Sequence, residues 1–186
     1  MNLGSGFFFL IDTLFDLYLY VIIARFVLQM VRADFYNPLS QFIVKVTSPL
    51  LIPMRKIIPG VGGVDVASIV LLYLLTVVKF ILIGLLFRAP GLVSPEVAAY
   101  AIIGYGAVSG IVGLIINFFL FVIIITAIMS WFAMTGTYNP VGDIFRQMSE
   151  PLLAPARRII PPIGMMDIST FVVILLLLFI KRVFGF

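Results

Sequence analysis

Polar residues interrupt this chain rarely and in bursts, and the apolar stretches between them set its elements. Phe7 to Val31 is apolar apart from Asp12, Thr13, Asp16, Arg25 and Gln29. Val66 to Phe87 is broken by Ser68, Thr76, Lys79 and Gly84. A bilayer crossing takes about 20 apolar residues, so both read as transmembrane helices, and Ile168 to Phe186 reads as another. Val97 to Met134 is too long for one crossing. At 1.5 Å per residue it would measure about 57 Å, against a hydrocarbon core of about 30 Å.

Between the first two spans the pattern changes. Leu39, Phe42, Ile43 and Val46 recur at helical spacing while Lys45 falls on another face. That predicts a short amphipathic helix over Pro38 to Val46. Pro49, Pro53 and Pro59 follow. Each removes an N–H donor and clashes with the preceding turn, so a broken segment is expected, with two turns at most over Leu51 to Ile58. Gly60, Gly62 and Gly63 predict a flexible turn. Asp65 stands just before the next apolar run, where a carboxylate caps free N–H groups and meets the positive helix end.

This segment occurs twice. NPLSQFIVKVTSPLLIPMRKIIPGVGGVD begins at Asn37, and NPVGDIFRQMSEPLLAPARRIIPPIGMMD begins at Asn139, 102 residues later and without a gap. Pro49 falls on Pro151, Pro53 on Pro155, Arg55-Lys56 on Arg157-Arg158, Gly62 on Gly164 and Asp65 on Asp167. Chance does not keep so many Pro, Gly, Asp and basic positions in register, so the chain contains an internal repeat. The register places the third span at Ser109 to Ala133. Val97 to Gly106 is left over as a short interfacial or re-entrant helix, with a full fifth span as the alternative.

The expected architecture is an all-α polytopic membrane protein with four main spans in two parallel repeats. Residues 1–88 form the first repeat, with span 7–31, Pro-rich segment 37–65 and span 66–87. Residues 89–108 form a linker. Residues 109–186 form the second repeat, with span 109–133, segment 139–167 and span 168–186. Arg32, Lys45, Arg55 and Lys56 flank the first segment, and Arg146, Arg157 and Arg158 the second. Only Arg88, Lys181 and Arg182 fall on the other side. The positive-inside bias therefore predicts both segments in the cytoplasm and both termini outside a bacterial inner membrane. A fifth span would put the two basic segments on opposite sides.

Composition agrees with this class. The chain is 63% hydrophobic and 11% charged, whereas a soluble domain carries about 25% charged residues. Met1 to Gly6 lacks the basic start of a cleavable signal. The net charge of +4 is concentrated in the repeated segments. The expected partners are therefore the bilayer and its anionic lipid headgroups, a protein partner or further copies of the chain, and not nucleic acid. There is no cysteine and no histidine, which removes thiol chemistry and the commonest general base and metal ligand. No nucleophile–base pattern, phosphate loop or metalloprotease helix is present, so neither an enzyme nor a cofactor is expected.

The residues left to carry chemistry are charged. Arg55, Lys56, Arg157 and Arg158 suit lipid phosphates or an acidic partner, with topology anchoring and snorkelling as the simpler reading. Lys79 and Lys181 are repeat-related ionisable groups inside spans, a placement that is expensive and points to function. Asp16, or Asp12 one turn outward, lies at a depth matching Lys79 and is the expected partner. Lys181 has no matching carboxylate, because Phe118 takes the place of Asp16, and Asn117 is its nearest polar neighbour. Arg25, Gln29 and Arg32 form a polar stripe that would line a hydrated path, bind the Pro-rich segment or, as the favoured reading, snorkel to headgroups. Asp65 and Asp167 read as helix caps, with cation ligation beside broken backbone as the sharper alternative.

The doubled pattern NP…PLLxPxR[KR]IIPxxGxxD, set between apolar spans in each half, resembles the YggT family of YGGT-repeat proteins, over nearly the whole chain. The resemblance implies an integral membrane protein without an assigned reaction. It also implies a link to hyperosmotic tolerance and potassium uptake in bacterial members, or to division and assembly partners. Two functions are therefore expected from different classes: support of ion homeostasis in osmotic stress, or a non-catalytic scaffold acting through its basic face.

Overall fold

The structure is a computed structural model and describes residues 3–60, 62–87, 104, 106–133, 139–160 and 167–185. Its elements are helical: α1 (Leu3–Met30), α2 (Pro38–Ile57), α3 (Val66–Phe87), α4 (Ala107–Ala133), α5 (Pro140–Ile159) and α6 (Ile168–Phe184). Among the described residues three stretches are long and apolar enough to cross a membrane: Gly4–Met30, Val66–Leu86 and Ala107–Ser130. They coincide with the first three expected spans. The expected fourth lies on α6, which is 17 residues long and falls short of the usual crossing length. The expected extra element at Val97 to Gly106 lies, except for Gly104 and Gly106, outside the described residues.

The Pro-rich segments are not broken. Each is one 20-residue helix, α2 with Pro49 and Pro53 inside it and α5 with Pro151 and Pro155 inside it. Side-chain donors gather around the turn that precedes Pro49. Thr47 Oγ1 donates to the Ile43 carbonyl at 2.7 Å and Ser48 Oγ to the Val44 carbonyl at 2.5 Å. Arg25 Nη1 reaches the same Val44 carbonyl at 2.9 Å, and the Tyr18 hydroxyl reaches the Val46 carbonyl at 3.4 Å. Side chains on a neighbouring helix can re-satisfy backbone that proline disturbs, which is how membrane helices tolerate it.

The ends of these helices follow local chemistry. Asn37 and Asn139 are N-caps in extended conformation, accepting from Leu39 N and Val141 N at 3.0 Å, with proline at the first helical position of each. Helix α1 stops in a Schellman motif. Ala33 N bonds Leu28 O at 2.9 Å, Arg32 N bonds Gln29 O at 3.2 Å, and Arg32 takes the left-handed position at φ 52°. Glycine would hold that conformation without the Cβ strain. Gly62 and Gly63, both at positive φ, turn the chain into α3.

The two motif helices lie at the same end of the bundle. Asn37 Nδ2 donates to the Pro140 carbonyl at 2.6 Å, and Asp34 N donates to Gln147 Oε1 at 3.3 Å. Helix α1 is the hub. Its Leu19, Ile22, Ile23, Val27 and Leu28 pack with Ile43 and Leu51 of α2, Leu71 of α3, Val122 of α4 and Met148 of α5. A second cluster joins Ile123, Leu153 and Val173 of the second half. In repeat register these three match Val21, Leu51 and Leu71, so both halves wrap a fully buried leucine, Leu51 or Leu153, at the same place. The outer faces of α3 and α6 stay apolar and exposed, with Ile69, Leu74 and Val78 on one and Phe171, Leu175 and Phe179 on the other.

The two caps are unequal, because only Asn37 also bridges the halves. Asn37→Ala should cost about 2 kcal/mol, from about 1 for the cap and about 1 for the lost hydrogen bond, and Asn139→Ala only about 1. Denaturant unfolding of the detergent-solubilised protein measures both, and equal losses would remove the bridge from the account.

Candidate functional site

Two polar constellations stand out, one inside the apolar layer and one at the motif end. In the first, Asp12 and Asp16 lie one turn apart on α1 and face Lys79 of α3. Lys79 Nζ is 2.8 Å from Asp12 Oδ1 and 2.5 Å from Asp16 Oδ1. Lys79 is 8% exposed, and the two carboxylates share the grip on its ammonium. Lys181 of α6 makes the equivalent approach to α4, donating to Asn117 Oδ1 at 2.7 Å. The repeat thus gives one lysine two charged partners and the other a neutral amide.

A cavity of about 350 Å³ opens beside this cluster. Asp16 and Tyr20 of α1, Thr76 and Lys79 of α3, and Ser109 and Asn117 of α4 supply its polar wall. Gly110 and Gly113 of α4 also line it. A Cβ on Gly110 would sit 3.4 Å from Phe80 Cζ, in van der Waals contact with α3.

The second constellation fixes each motif helix to the start of the next span. Arg55 Nη2 pairs with Asp65 Oδ2 and also donates to Gln29 Oε1 at 3.0 Å. Asp65 is buried and accepts from the Ser68 hydroxyl and from Ser68 N. Burial pushes its carboxyl up, yet the hydrogen bonds from Arg55 and Ser68 and the guanidinium charge outweigh this and hold it below its ordinary value of 3.8. In the second half Arg157 Nε pairs with Asp167 Oδ2 at 2.8 Å, and Arg157 Nη1 with Glu150 Oε2 at 3.3 Å. Asp167 caps α6 through Ser169 N at 3.1 Å. Burial again pushes its carboxyl up, and bonds from Ser169, Arg157 and Thr170 hold it below the ordinary value.

The structure brings Asp16, Asp12 and Lys79 together, and Lys181 with Asn117. It places Asp65 and Asp167 at the starts of α3 and α6, each with an arginine against it. The favoured snorkelling of Arg25 is corrected. Its guanidinium is docked on α2 at Val44 O, Thr47 Oγ1 and Ser48 Oγ, at 2.9, 3.0 and 3.4 Å, where the disturbed turn offers acceptors that headgroups would have to outbid. Of the four motif cations, Arg55 and Arg157 are committed to carboxylates, and Lys56 and Arg158 are exposed. Sequence reasoning missed the arginine–aspartate pairs. Their signal was present, as an Arg and an Asp ten residues apart in both copies.

A family profile described as CCB3/YggT matches residues 4–86 and 105–185, one copy over each half. The chain belongs to the CCB3/YggT family. An uncharacterised Vibrio alginolyticus protein is 43% identical over 95% of this chain and 92% of its own length. A Pseudomonas aeruginosa relative is 42% identical over 91% and 83%, and Escherichia coli YggT 37% identical over 91% and 84%; both are named as uncharacterised. No solved structure matches. The CCB3/YggT match spans both constellations in both halves, so the buried triad and the arginine–aspartate pairs lie within the family's own region.

Lys79→Met should destabilise this CCB3/YggT chain by about 2–3 kcal/mol, because it leaves two half-buried carboxylates facing each other. Asp16→Asn should cost less than half as much, since Asp12 keeps Lys79 paired. Unfolding of each variant in detergent decides it, and a larger loss for Asp16→Asn would overturn the shared grip. The depressed Asp65 carboxyl adds stability that is complete above 3.8 and is lost as pH falls through its lower folded-state value. Melting temperature measured down that pH range should therefore fall more steeply for the parent than for Asp65→Asn, and parallel curves would refute the linkage.

Proposed function

We propose that this protein is a four-span bacterial inner-membrane protein that supports ion homeostasis, potassium included, under osmotic stress. Its motif helices face the cytoplasm and its termini lie outside. The observation that carries this reading is the Lys79–Asp12–Asp16 cluster beside a polar cavity, within helices apolar enough to cross a bilayer. Ionisable groups at such depth are expensive and mark solute or proton pathways in membrane proteins. The meeting of α2 and α5 at one end supports parallel halves, as four crossings require. The concentration of Lys and Arg in and around these helices supports the cytoplasmic assignment.

A scaffold role is the second reading. Exposed Lys56 and Arg158, free of the arginine–aspartate pairs, stand beside exposed Ile57 and Ile159 on the two motif helices. Such a face suits an anionic headgroup layer or an acidic partner.

The test is survival of a deletion strain after hyperosmotic shock at low potassium. The parent gene should restore survival, and Lys79→Met/Lys181→Met should not, at equal membrane abundance. Rescue by the double variant, with loss instead in Lys56→Gln/Arg158→Gln, would replace the ion reading by the scaffold.

A further inference from the structure

Two hydroxyl protons on the cavity wall are spent within their own helices. Thr76 Oγ1 donates to the Leu72 carbonyl at 2.8 Å, and Ser109 Oγ donates to the Gly106 carbonyl at 3.2 Å. A hydroxyl has one proton, so toward the cavity both oxygens offer lone pairs. Asp16 adds a carboxylate that is only partly covered, with its side chain 28% exposed. Asp16, Thr76 and Ser109 therefore present acceptors to the cavity, while Lys79, Tyr20 and Asn117 bring donors to the same lining. The charges point the same way. Asp12 and Asp16 carry two negative charges against the one positive charge of Lys79, so the triad is formally one charge negative where water is scarce. Lys181 is not part of the cavity lining and is turned to Asn117 Oδ1.

The site also displays the kind of group it holds. Lys79 is a primary ammonium gripped by paired carboxylates at hydrogen-bonding distance, in charge-assisted bonds. Few oxygens are present, and each has directional lone pairs. That suits N–H donors better than a bare metal ion, whose selectivity sites replace a hydration shell with rings of oxygens. The volume is at the small end of ligand pockets. Phe80 stands against Gly110, which leaves little room for a bulky substituent.

We propose that this cavity is a binding site for a small protonated primary amine, seated between Asp16, Thr76 and Ser109 beside the Lys79 ammonium. The ligand brings one positive charge and neutralises the triad. The proposal uses the same cavity as the ion reading but not the osmotic role, so either can fail alone.

The test uses the full chain purified in detergent, with methylammonium chloride as probe. Potassium chloride and tetramethylammonium chloride at equal ionic strength are controls, the first lacking N–H donors and the second lacking them in an organic cation. Methylammonium should raise the melting temperature saturably, and radiolabelled methylammonium should bind with about one site per chain. Asp16→Asn should weaken binding at least tenfold. Ser109→Ala, which keeps every charge and removes a single acceptor, should weaken it about three- to tenfold, and it guards against a folding defect in the first variant. Equal stabilisation by all three salts would overturn the proposal, as would binding unchanged in both variants. Saturable binding of potassium in preference to methylammonium would also overturn it, and would leave the ion reading standing.

Discussion

The architecture depends on one constraint: a charge or backbone group inside the apolar layer must find its partner within the protein. Water is not there to satisfy it, and an unpaired ion in that setting costs several kcal/mol. Helix α1 meets most of this demand. Its Asp12 and Asp16 hold Lys79 of α3, its Arg25 and Tyr18 hold carbonyls of α2, and its Gln29 accepts from Arg55. The apolar side chains between these groups form the main core. One helix thus joins the first half by packing and by polar bonds at once.

The halves share a plan and differ in polarity. Arg25, Asp16 and Thr47 of the first half correspond to Ala127, Phe118 and Ser149 of the second. Without an arginine at that place, Ser149 turns to the Arg146 carbonyl and lies 3.4 Å from Thr126 Oγ1. The arginine–aspartate pair is kept in both, but Asp65 is buried and Asp167 exposed, with Glu150 joining only the second. The repeat has kept what fixes the backbone and let the buried charges diverge.

Much of this was legible in the sequence. Long apolar runs located α1 and α3 to within a few residues, because span length is set by the bilayer, and the repeat register located α4. The capping contacts of Asp65 and Asp167 followed from local chemistry. The pairing of Lys79 with Asp12 and Asp16 followed from depth alone, since two embedded charges of opposite sign at one level have little else to meet. What sequence could not supply was tertiary. Pro49 and Pro53 argue for a break, yet α2 runs through both, as α5 runs through Pro151 and Pro155. Arg25 looked free to snorkel because only the packing of α2 against α1 brings Val44 O, Thr47 Oγ1 and Ser48 Oγ to it. Arg55 and Asp65 read separately as a lipid contact and a cap, and the turn through Gly62 and Gly63 is what folds one onto the other.

The divergence has a consequence for assembly. The first half, taken with its own kind, would bring together two carboxylate-rich triads, and the second with its own kind would bring together lysines that face only amides. Side by side in one chain, the halves differ in their embedded groups: the first holds Lys79 between Asp12 and Asp16 and docks Arg25 on α2, and the second sets Lys181 against Asn117. Fusion of the repeats into a single polypeptide therefore fixes their ratio at one to one, so that every copy carries one lysine held by carboxylates and one held by an amide. Two identical subunits could not achieve this.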